Sequence, residues 1–498
     1  MAERSMHKMG RCHEHIPVED RPEHHSATRF PLFAESVIVP ILMQGIPVSL
    51  HRTTVLRRLL QIALPMVVSQ ASNTVMMFVD RLFLSRLGEA YLSAAMSGGL
   101  NQFMVNSLFI GTVGYTNAVV AQLFGANKKE RCAEATVQGM ILALLCYPII
   151  LAISPLVRHI FILAGQKPIQ VALGYQYFRV LIFGSIFVVL RFAISGFFIG
   201  TGRTKVVMVS NVVGMVINIP ANYVLIYGKF GFPALGLTGA AIGTILGNMI
   251  AFLILFTFYL RPVNRREFAT HLGFRLVGET MRTLIRFGVP AGFEMILNVT
   301  AFNLFVQFMH SYGTGVAAAV TIAFNWDLVA FVPMLGMSYA TTALVGQFVG
   351  AKDYAQARHA TNVSLRVAWV YSGTMVLVFL TLTGVLVRTF AAGFGSGATD
   401  VAWLAAILIR LAALYILADS AQLVFSGALR GAGDTRWVMQ VSVGLHWVFS
   451  VLAIVLIRVL QVSPVASWIS FIIFVVLLGL AMFLRFRSGR WQEIRMIE

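Results

Sequence analysis

Residues 418–439 read ADSAQLVFSGALRGAGDTRWVM, from Ala418 to Met439, and this stretch sets how the rest of the chain is read. It begins inside a long apolar run that carries a bare carboxylate, Asp419. It leaves that run through a Gly-rich basic turn, Arg430 to Arg436, and enters another apolar run. A charged group in hydrocarbon is costly, so an intramembrane acid points to function. The stretch has a twin. Ser195-Gly-Phe-Phe-Ile-Gly-Thr-Gly-Arg-Thr-Lys205 matches Ser426 to Arg436 at both ends and at each Gly, but Val188 stands where the later copy has Asp419. Two halves therefore share one plan, and only one of them has an acid at this position.

Of the 498 residues, 58% are hydrophobic and only 12% are charged. A soluble domain of this size carries about a quarter charged residues, and apolar runs of roughly 20 residues have membrane-spanning length. The chain thus reads as an all-α polytopic membrane protein. Its net charge of +18 does not indicate a nucleic-acid partner. The Lys and Arg sit in short loops between apolar runs, where basic residues mark the cytoplasmic side. Cys12, Cys132 and Cys146 show neither metal spacing nor an evident pairing.

Residues 1–55 differ from the rest: polar, then broken by Pro31, Pro40 and Pro47, with Cys12-His13-Glu14-His15 and His24-His25. They read as a disordered extension or as sequence upstream of a start at Met43; a metal-binding tail is the other reading. From Leu59, apolar length and loop signals predict twelve helices. Helices 1 to 6 are expected over 59–87, 91–124, 133–156, 173–200, 206–227 and 236–260. Helices 7 to 12 are expected over 283–310, 317–345, 360–390, 402–429, 437–460 and 465–484. The N-lobe is then 56–260 and the C-lobe 283–484. A basic linker at 261–282 reads as an amphipathic surface helix, and 485–498 as a tail. Lys128, Lys129 and Arg131, Arg203 and Lys205, Lys352 and Arg358, Arg430 and Arg436, and the tail arginines all fall on one side under this count. Both termini are therefore expected in the cytoplasm, with the protein in the plasma (inner) membrane.

The repeat extends well beyond the opening stretch. Gln122-Leu-Phe-Gly-Ala126 matches Gln347-Phe-Val-Gly-Ala351, an offset of about 225 residues that also pairs Pro65 with Pro290, Asn73 with Asn298 and Gly88 with Gly313. Six helices per half is an even number, so both halves enter the membrane from the same side. They are then related by a pseudo-two-fold axis along the membrane normal, a transporter plan.

Several polar groups lie within the predicted helices. Asp80 is in helix 1, and Asn218 and Asn222 lie four apart on one face of helix 5, with Pro220 between them. Pro220 is expected to open the helix locally and free backbone carbonyls. A carboxylate, two amides and free carbonyls suit H⁺ or Na⁺. The plain alternatives are an interfacial acid paired with Arg81 or Arg86, and an Asn pair that simply bonds between helices. In the second half, Glu294 and Asn298 lie four apart on helix 7, Asp327 is in helix 8 and Asp419 in helix 10. All four are expected near mid-membrane as one proton-holding cluster, because close dry carboxylates cannot all stay ionised. Gln422, one turn after Asp419, is expected to orient it. Glu294, Asp419 and Gln422 are expected to line the substrate cavity. Arg191 is intramembrane with no partner assignable from sequence.

These residues resemble the multidrug and toxic compound extrusion (MATE) transporters, from about Leu56 to Arg485. The resemblance rests on Val79-Asp80 before Leu87-Gly88, the Gly125-Ala126 and Gly350-Ala351 loops, Phe232-Pro-Ala-Leu-Gly-Leu-Thr-Gly-Ala-Ala-Ile242, and Asp419-Ser-Ala-Gln422 with its Arg430-Gly turn. It implies two six-helix lobes around a central cavity that export organic, chiefly cationic, compounds in exchange for Na⁺ or H⁺. Asp80 matches the family's helix 1 acid, Asp419 its helix 10 acid, and Asn218 and Asn222 its helix 5 polar pair. Where several members have Glu before Val-Thr, this chain has Asn298-Val-Thr300, with Glu294 one turn earlier. Asp327 matches no position of the family's pattern.

Beyond the coupling ion, no cofactor is expected. The expected partners are a small-molecule substrate and the bilayer, and the expected state is a monomer. A lipid-linked oligosaccharide flippase of the same superfamily is the nearest alternative, and would be expected to line its cavity with Arg and Lys. A major-facilitator carrier lacks support, since Gly125-Ala-Asn-Lys-Lys-Glu-Arg131 carries no acidic-Arg-Gly signature. An intramembrane enzyme would need clustered His ligands or a nucleophile with its base, and the apolar runs contain neither.

Overall fold

Twelve apolar runs become twelve spans. The computed structural model describes residues 52–163, 168–271, 273–391 and 398–497, and among them there is no strand. The Cys- and His-bearing segment predicted as an extension lies outside the described residues. Eleven helices are individually long and apolar enough to cross a membrane. The twelfth span, helix 4, is a pair, Pro168–Phe183 and Ser185–Gly200, bent by 46°. The sequence predicted one straight helix there. The bend falls at Gly184, where a Cβ would stand 2.2 Å from Ile245 of helix 6, so the missing side chain lets the two helices meet.

The remaining spans are Arg52–Ser85 (helix 1), Glu89–Gly114 continued by Thr116–Gly125 (helix 2), Lys129–Ile153 (helix 3), Thr204–Tyr227 (helix 5) and Leu237–Tyr259 (helix 6). In the second lobe they are Gly278–His310 (helix 7), Thr314–Gly350 (helix 8), Tyr354–Thr381 (helix 9), Ala398–Ala432 (helix 10), Thr435–Ile454 (helix 11) and Pro464–Ser488 (helix 12). Helix 11 widens into a π turn over Val455–Val459. Helix 5 runs unbroken through Pro220, contrary to the expected opening. A proline removes one ladder bond, and close packing against helix 6, where Gly214 meets the Gly247 backbone, holds the rest in line.

The repeat is visible in backbone conformation. Gly88 and Gly313 start helices 2 and 8 with φ of 127° and 121°, and Asn127 and Lys352 take left-handed φ of 59° and 60° after those same helices. Side chains such as Phe78, Leu145, Val370, Leu414 and Val448 are exposed on the outside, as lipid-facing residues are. The C-lobe interior is strongly aromatic: Phe305 stacks on Phe471 at 5.1 Å, and Phe324 meets Trp468 at 4.8 Å.

The two lobes close against each other on the face that carries the basic loops. There the ends of helices 2 and 8 touch reciprocally. A Cβ on Gly125 would lie 1.8 Å from the Gln347 carbonyl oxygen, and one on Gly350 would lie 1.9 Å from that of Gln122. Only glycine permits such an approach. The glutamine side chains complete the seal with the same symmetry: Gln122 Nε2 donates to the Gly431 carbonyl at 2.8 Å, and Gln347 Nε2 to that of Gly200 at 2.7 Å.

The linker is not the predicted amphipathic surface helix. Pro262 starts a helix that stops at Phe268, because Ala269 takes a left-handed φ of 52°. The segment is then fastened to helix 3. Lys129 pairs with Glu267 at 3.1 Å, Gln138 Nε2 donates to the Arg275 carbonyl at 2.7 Å, and Gln138 Oε1 accepts from the Val277 N–H at 3.2 Å. Glu267 also binds Arg203. Burial alone would raise the Glu267 carboxyl, but Arg203 and Lys129 more than offset it and hold it below the usual carboxylate range. The tail packs on the same face. Trp491 is fully buried, stacks on Phe486 at 5.2 Å and donates its indole N–H to the Phe486 carbonyl at 2.9 Å. Met496 Sδ accepts from the Tyr115 hydroxyl at 3.4 Å, so the tail touches the N-lobe.

Candidate functional site

The polar groups singled out from the sequence fall into four sets. The first lies in the N-lobe, in the half of the membrane away from the seal. Asp80 of helix 1 accepts from Asn222 Nδ2 of helix 5 and, at 3.1 Å, from the Thr244 hydroxyl of helix 6. Asn222 Nδ2 also reaches Asn218 Oδ1 at 3.4 Å. The predicted trio is therefore brought together, and Asp80 pairs with neither Arg81 nor Arg86. Asn222 Oδ1 and Asn218 Nδ2 are left buried without partners. Helix 6 makes room for this arrangement at Gly243, where a Cβ would fall 1.8 Å from Asn222 Oδ1. A carboxylate beside an unmatched amide oxygen is an oxygen-rich pocket in which a proton or Na⁺ would be well received.

The second set is the C-lobe acid pair. The Tyr415 hydroxyl donates to Asp327 Oδ1 at 2.8 Å. Asp419, one turn after Tyr415 on helix 10, lies within electrostatic reach of both. Neither acid forms an ion pair among the described residues. Gln422 is buried, but no hydrogen bond joins it to Asp419.

The third set corrects the expected cluster of Glu294, Asn298, Asp327 and Asp419. Glu294 is almost fully buried and is held by Arg430, with Nη2 at 2.6 Å from Oε1 and Nε at 3.3 Å from Oε2. A carboxylate gripped on both oxygens by a guanidinium is neutralised in place. Arg430 starts close to the seal, but its long side chain lets the pair form. Asn298 turns instead to helix 11, donating to Ser442 Oγ at 2.8 Å. Sequence position placed these acids at similar depth but did not show which had a cation beside it.

The fourth set is Arg191. It donates through Nη1 to Asn211 Oδ1, and Asn211 Nδ2 in turn donates to Ser69 Oγ, a chain across helices 4, 5 and 1. Its partner is thus an amide rather than an acid.

Sequence reasoning missed Thr244, Tyr415, Asn211 and Ser442. Tyr415 had a signal, since it stands one turn before Asp419. Thr244 had none, because only the packing of helix 6 on helix 1 brings it to Asp80. A cleft of about 520 Å³ beside helices 1 and 2, lined by Arg81, Leu92, Ser93, Met96, Ser97 and Leu100, contains none of the predicted residues.

Comparison with known proteins agrees with this architecture. The MatE family profile matches residues 65–224 and 290–456, one block in each lobe. A relative from Bradyrhizobium diazoefficiens, described as probable multidrug resistance protein NorM, is 31% identical over 393 residues, covering 78% of this chain and 83% of the relative. A protein of the same description from Synechocystis sp. is 29% identical over 398 residues, covering 78% and 85%. Among solved structures, a MOP superfamily transporter from Pyrococcus furiosus superposes with a TM-score of 0.80 at 20% identity, over 91% of this chain and 98% of that one. A MATE structure in the straight conformation gives 0.78 at 20% identity, over 92% and 99%. With the profile covering both lobes and a relative above 30% identity over most of its length, the chain belongs to the multidrug and toxic compound extrusion (MATE) family of transporters.

Proposed function

We propose that this protein is a secondary antiporter that exports organic, drug-like compounds, cations among them, from the cytoplasm across the plasma (inner) membrane in exchange for H⁺ or Na⁺. The observation that carries this reading is the pair Asp327 and Asp419, two carboxylates in an apolar lobe with a tyrosine hydroxyl and, among the described residues, no ion-pair partner. Acids left uncompensated in hydrocarbon are positioned to take up protons, and to exchange them for a substrate cation. Asp80, Asn218 and Asn222 form the second ion-responsive site in this reading, and Gln422 belongs to the cavity wall. The tightly sealed basic face supports alternating access, in which the Gly125 and Gly350 contacts must part for the cytoplasmic side to open. The multidrug resistance relatives make drug-like compounds the class to test first.

The deciding experiment is transport in proteoliposomes under an imposed ΔpH or Na⁺ gradient, against a panel of dyes. Substrate movement that follows one gradient and stops when it is collapsed is expected. Movement indifferent to both gradients would refute ion-coupled antiport.

A further inference from the structure

Arg191 is a buried cation that none of the acids above neutralises. It is 8% exposed, on the second segment of helix 4. A guanidinium carries five N–H donors and stays charged at any physiological pH. Among the described residues its guanidinium donates one hydrogen bond, from Nη1 to the neutral Asn211. Nε is buried with none. No carboxylate lies within ion-pairing distance among the described residues. The other neighbours are the Phe192 ring, whose centroid is 5.3 Å from Cζ, and Tyr339 of helix 8, which lies in the facing lobe within electrostatic reach of both Arg191 and Arg430.

The site is held rigidly. Asn211 is fixed by Ser69, so helices 1 and 5 set the orientation of the guanidinium. Helix 4 runs nine residues from Arg191 to Gly200, the residue contacted by Gln347 at the seal, which places Arg191 about 14 Å above the closed basic face at the helical rise. Nε and Nη2, the latter making no hydrogen bond among the described residues, form one edge of the guanidinium, the edge a carboxylate takes side-on. In the C-lobe the position equivalent to Arg191 is Gln422, and the arginine there, Arg430, is already held by Glu294. A buried charge left without a counter-ion is expensive to maintain.

We propose that Arg191 is an anion subsite for the exported compound, binding a carboxylate on an amphipathic organic molecule whose apolar or cationic body occupies the space between the lobes. This rests on the export reading above and narrows its substrate class. The same free edge would also bind a phosphate, so the test must separate substrate from anionic lipid.

The test uses purified, delipidated full-length protein and two dyes that differ only at one group, rhodamine B with its free carboxylate and its ethyl ester. The wild type is expected to bind the acid at least as tightly as the ester. Arg191→Gln is expected to weaken rhodamine B by about ten- to a hundredfold, the loss of a charge-assisted bidentate contact, while ester binding changes less than about twofold. Arg191→Lys is expected to recover part of the difference. Equal weakening of both dyes would mean that Arg191 only supports the fold, and would overturn the proposal. So would unchanged binding of both. Loss of stabilisation by phosphatidylglycerol with rhodamine B binding intact would assign the site to lipid, and would also overturn it. If Arg191→Gln does not fold, the wild type still decides, since clear preference for the ester refutes an anion subsite. Binding of neither dye, together with no gradient-driven movement of any dye in the panel, would remove the export reading itself, whereas ester binding with rejection of the acid removes only this inference.

Discussion

The two lobes are built on one frame, yet their charges differ at matching positions. Arg203, at the turn between helices 4 and 5, pairs with Glu267 of the linker and sits under the Phe268 ring. Its counterpart in the C-lobe is Asp434, paired with Arg485 at the end of helix 12 at 2.7 Å, while Arg485 sits over Trp437. Both lobes thus fasten their last element to the same turn by an ion pair and an aromatic ring, with donor and acceptor exchanged. Deeper in the membrane, Ser69 answers to Glu294, Ile199 to Arg430, Arg191 to Gln422 and Val188 to Asp419. By contrast, the Gly125–Gln347 and Gly350–Gln122 contacts are the same in both copies. Backbone sets the requirement where the lobes touch, and backbone does not tolerate change. Where side chains fill the lobes, no such backbone contact constrains them, and the two copies carry different charges at matching positions.

The largest effect should come from removing an acid that the C-lobe has and the N-lobe lacks at the matching position. Asp419→Asn keeps the shape and removes the titratable group, so gradient-driven exchange in proteoliposomes should fall to the level of empty vesicles while the protein remains folded in the membrane. Exchange at the wild-type rate would show that the acid asymmetry between the lobes does not carry coupling. The N-lobe acid should act differently. Protonation of Asp80, or Na⁺ binding beside it, changes what Asn218 and Asn222 can bond to, and a tenfold shift between two states needs only about 1.4 kcal/mol. Asp80→Asn should therefore hold the lobe in one conformation and uncouple export while leaving substrate binding measurable. The readout is labelling of single cysteines at the ends of helices 1 and 5 away from the seal, across pH and Na⁺. A labelling pattern that responds to the ions as in the wild type would remove Asp80 from the switch.

The matched contacts give a sharper test of the twinning itself. Gly125→Ala and Gly350→Ala each force a methyl group into a backbone carbonyl, and overpacking of this kind costs about 1–3 kcal/mol. The two should slow transport to a similar degree, and both should raise the reactivity of cysteines placed just above the seal. A large effect from one and none from the other would show that the closure is not symmetric. The smallest effect concerns the exchanged ion pairs. The Glu267 carboxyl is held below its ordinary value when folded, so its contribution is present above the unfolded pKa and is lost as pH falls through the folded value. Glu267→Gln should lower thermal stability at neutral pH by about 1 kcal/mol at most, because the carboxylate is partly exposed, and variant and wild type should converge in acid. A difference that persists unchanged at low pH would mean that the pair does not fasten the linker.

Much of this was legible in the chain. Apolar run length and loop charge gave twelve spans, and the spacing of Gln122-Leu-Phe-Gly-Ala126 and Gln347-Phe-Val-Gly-Ala351 gave two lobes and their symmetry. Asp80 with Asn218 and Asn222 was readable because the Asn pair lies four apart and the family pattern joins it to helix 1. The partners of Glu294, Asn298, Asp327 and Asp419 were not readable, because depth along a helix says nothing about which way a side chain turns. Glu294 turns to Arg430 and Asp327 to Tyr415. The linker misled because amphipathic spacing does not register Gln138 and Lys129 on a neighbouring helix, which supply better partners than a membrane surface would.

The sequence by itself determined the number of spans, their grouping and the identity of the buried charges, because hydrophobic length, loop charge and repetition are local properties of a chain in a bilayer. Only the tertiary structure decided which of those charges are neutralised. That depends on which helices lie side by side: Glu294 is held by Arg430, whereas Arg191 meets an amide and, among the described residues, no acid.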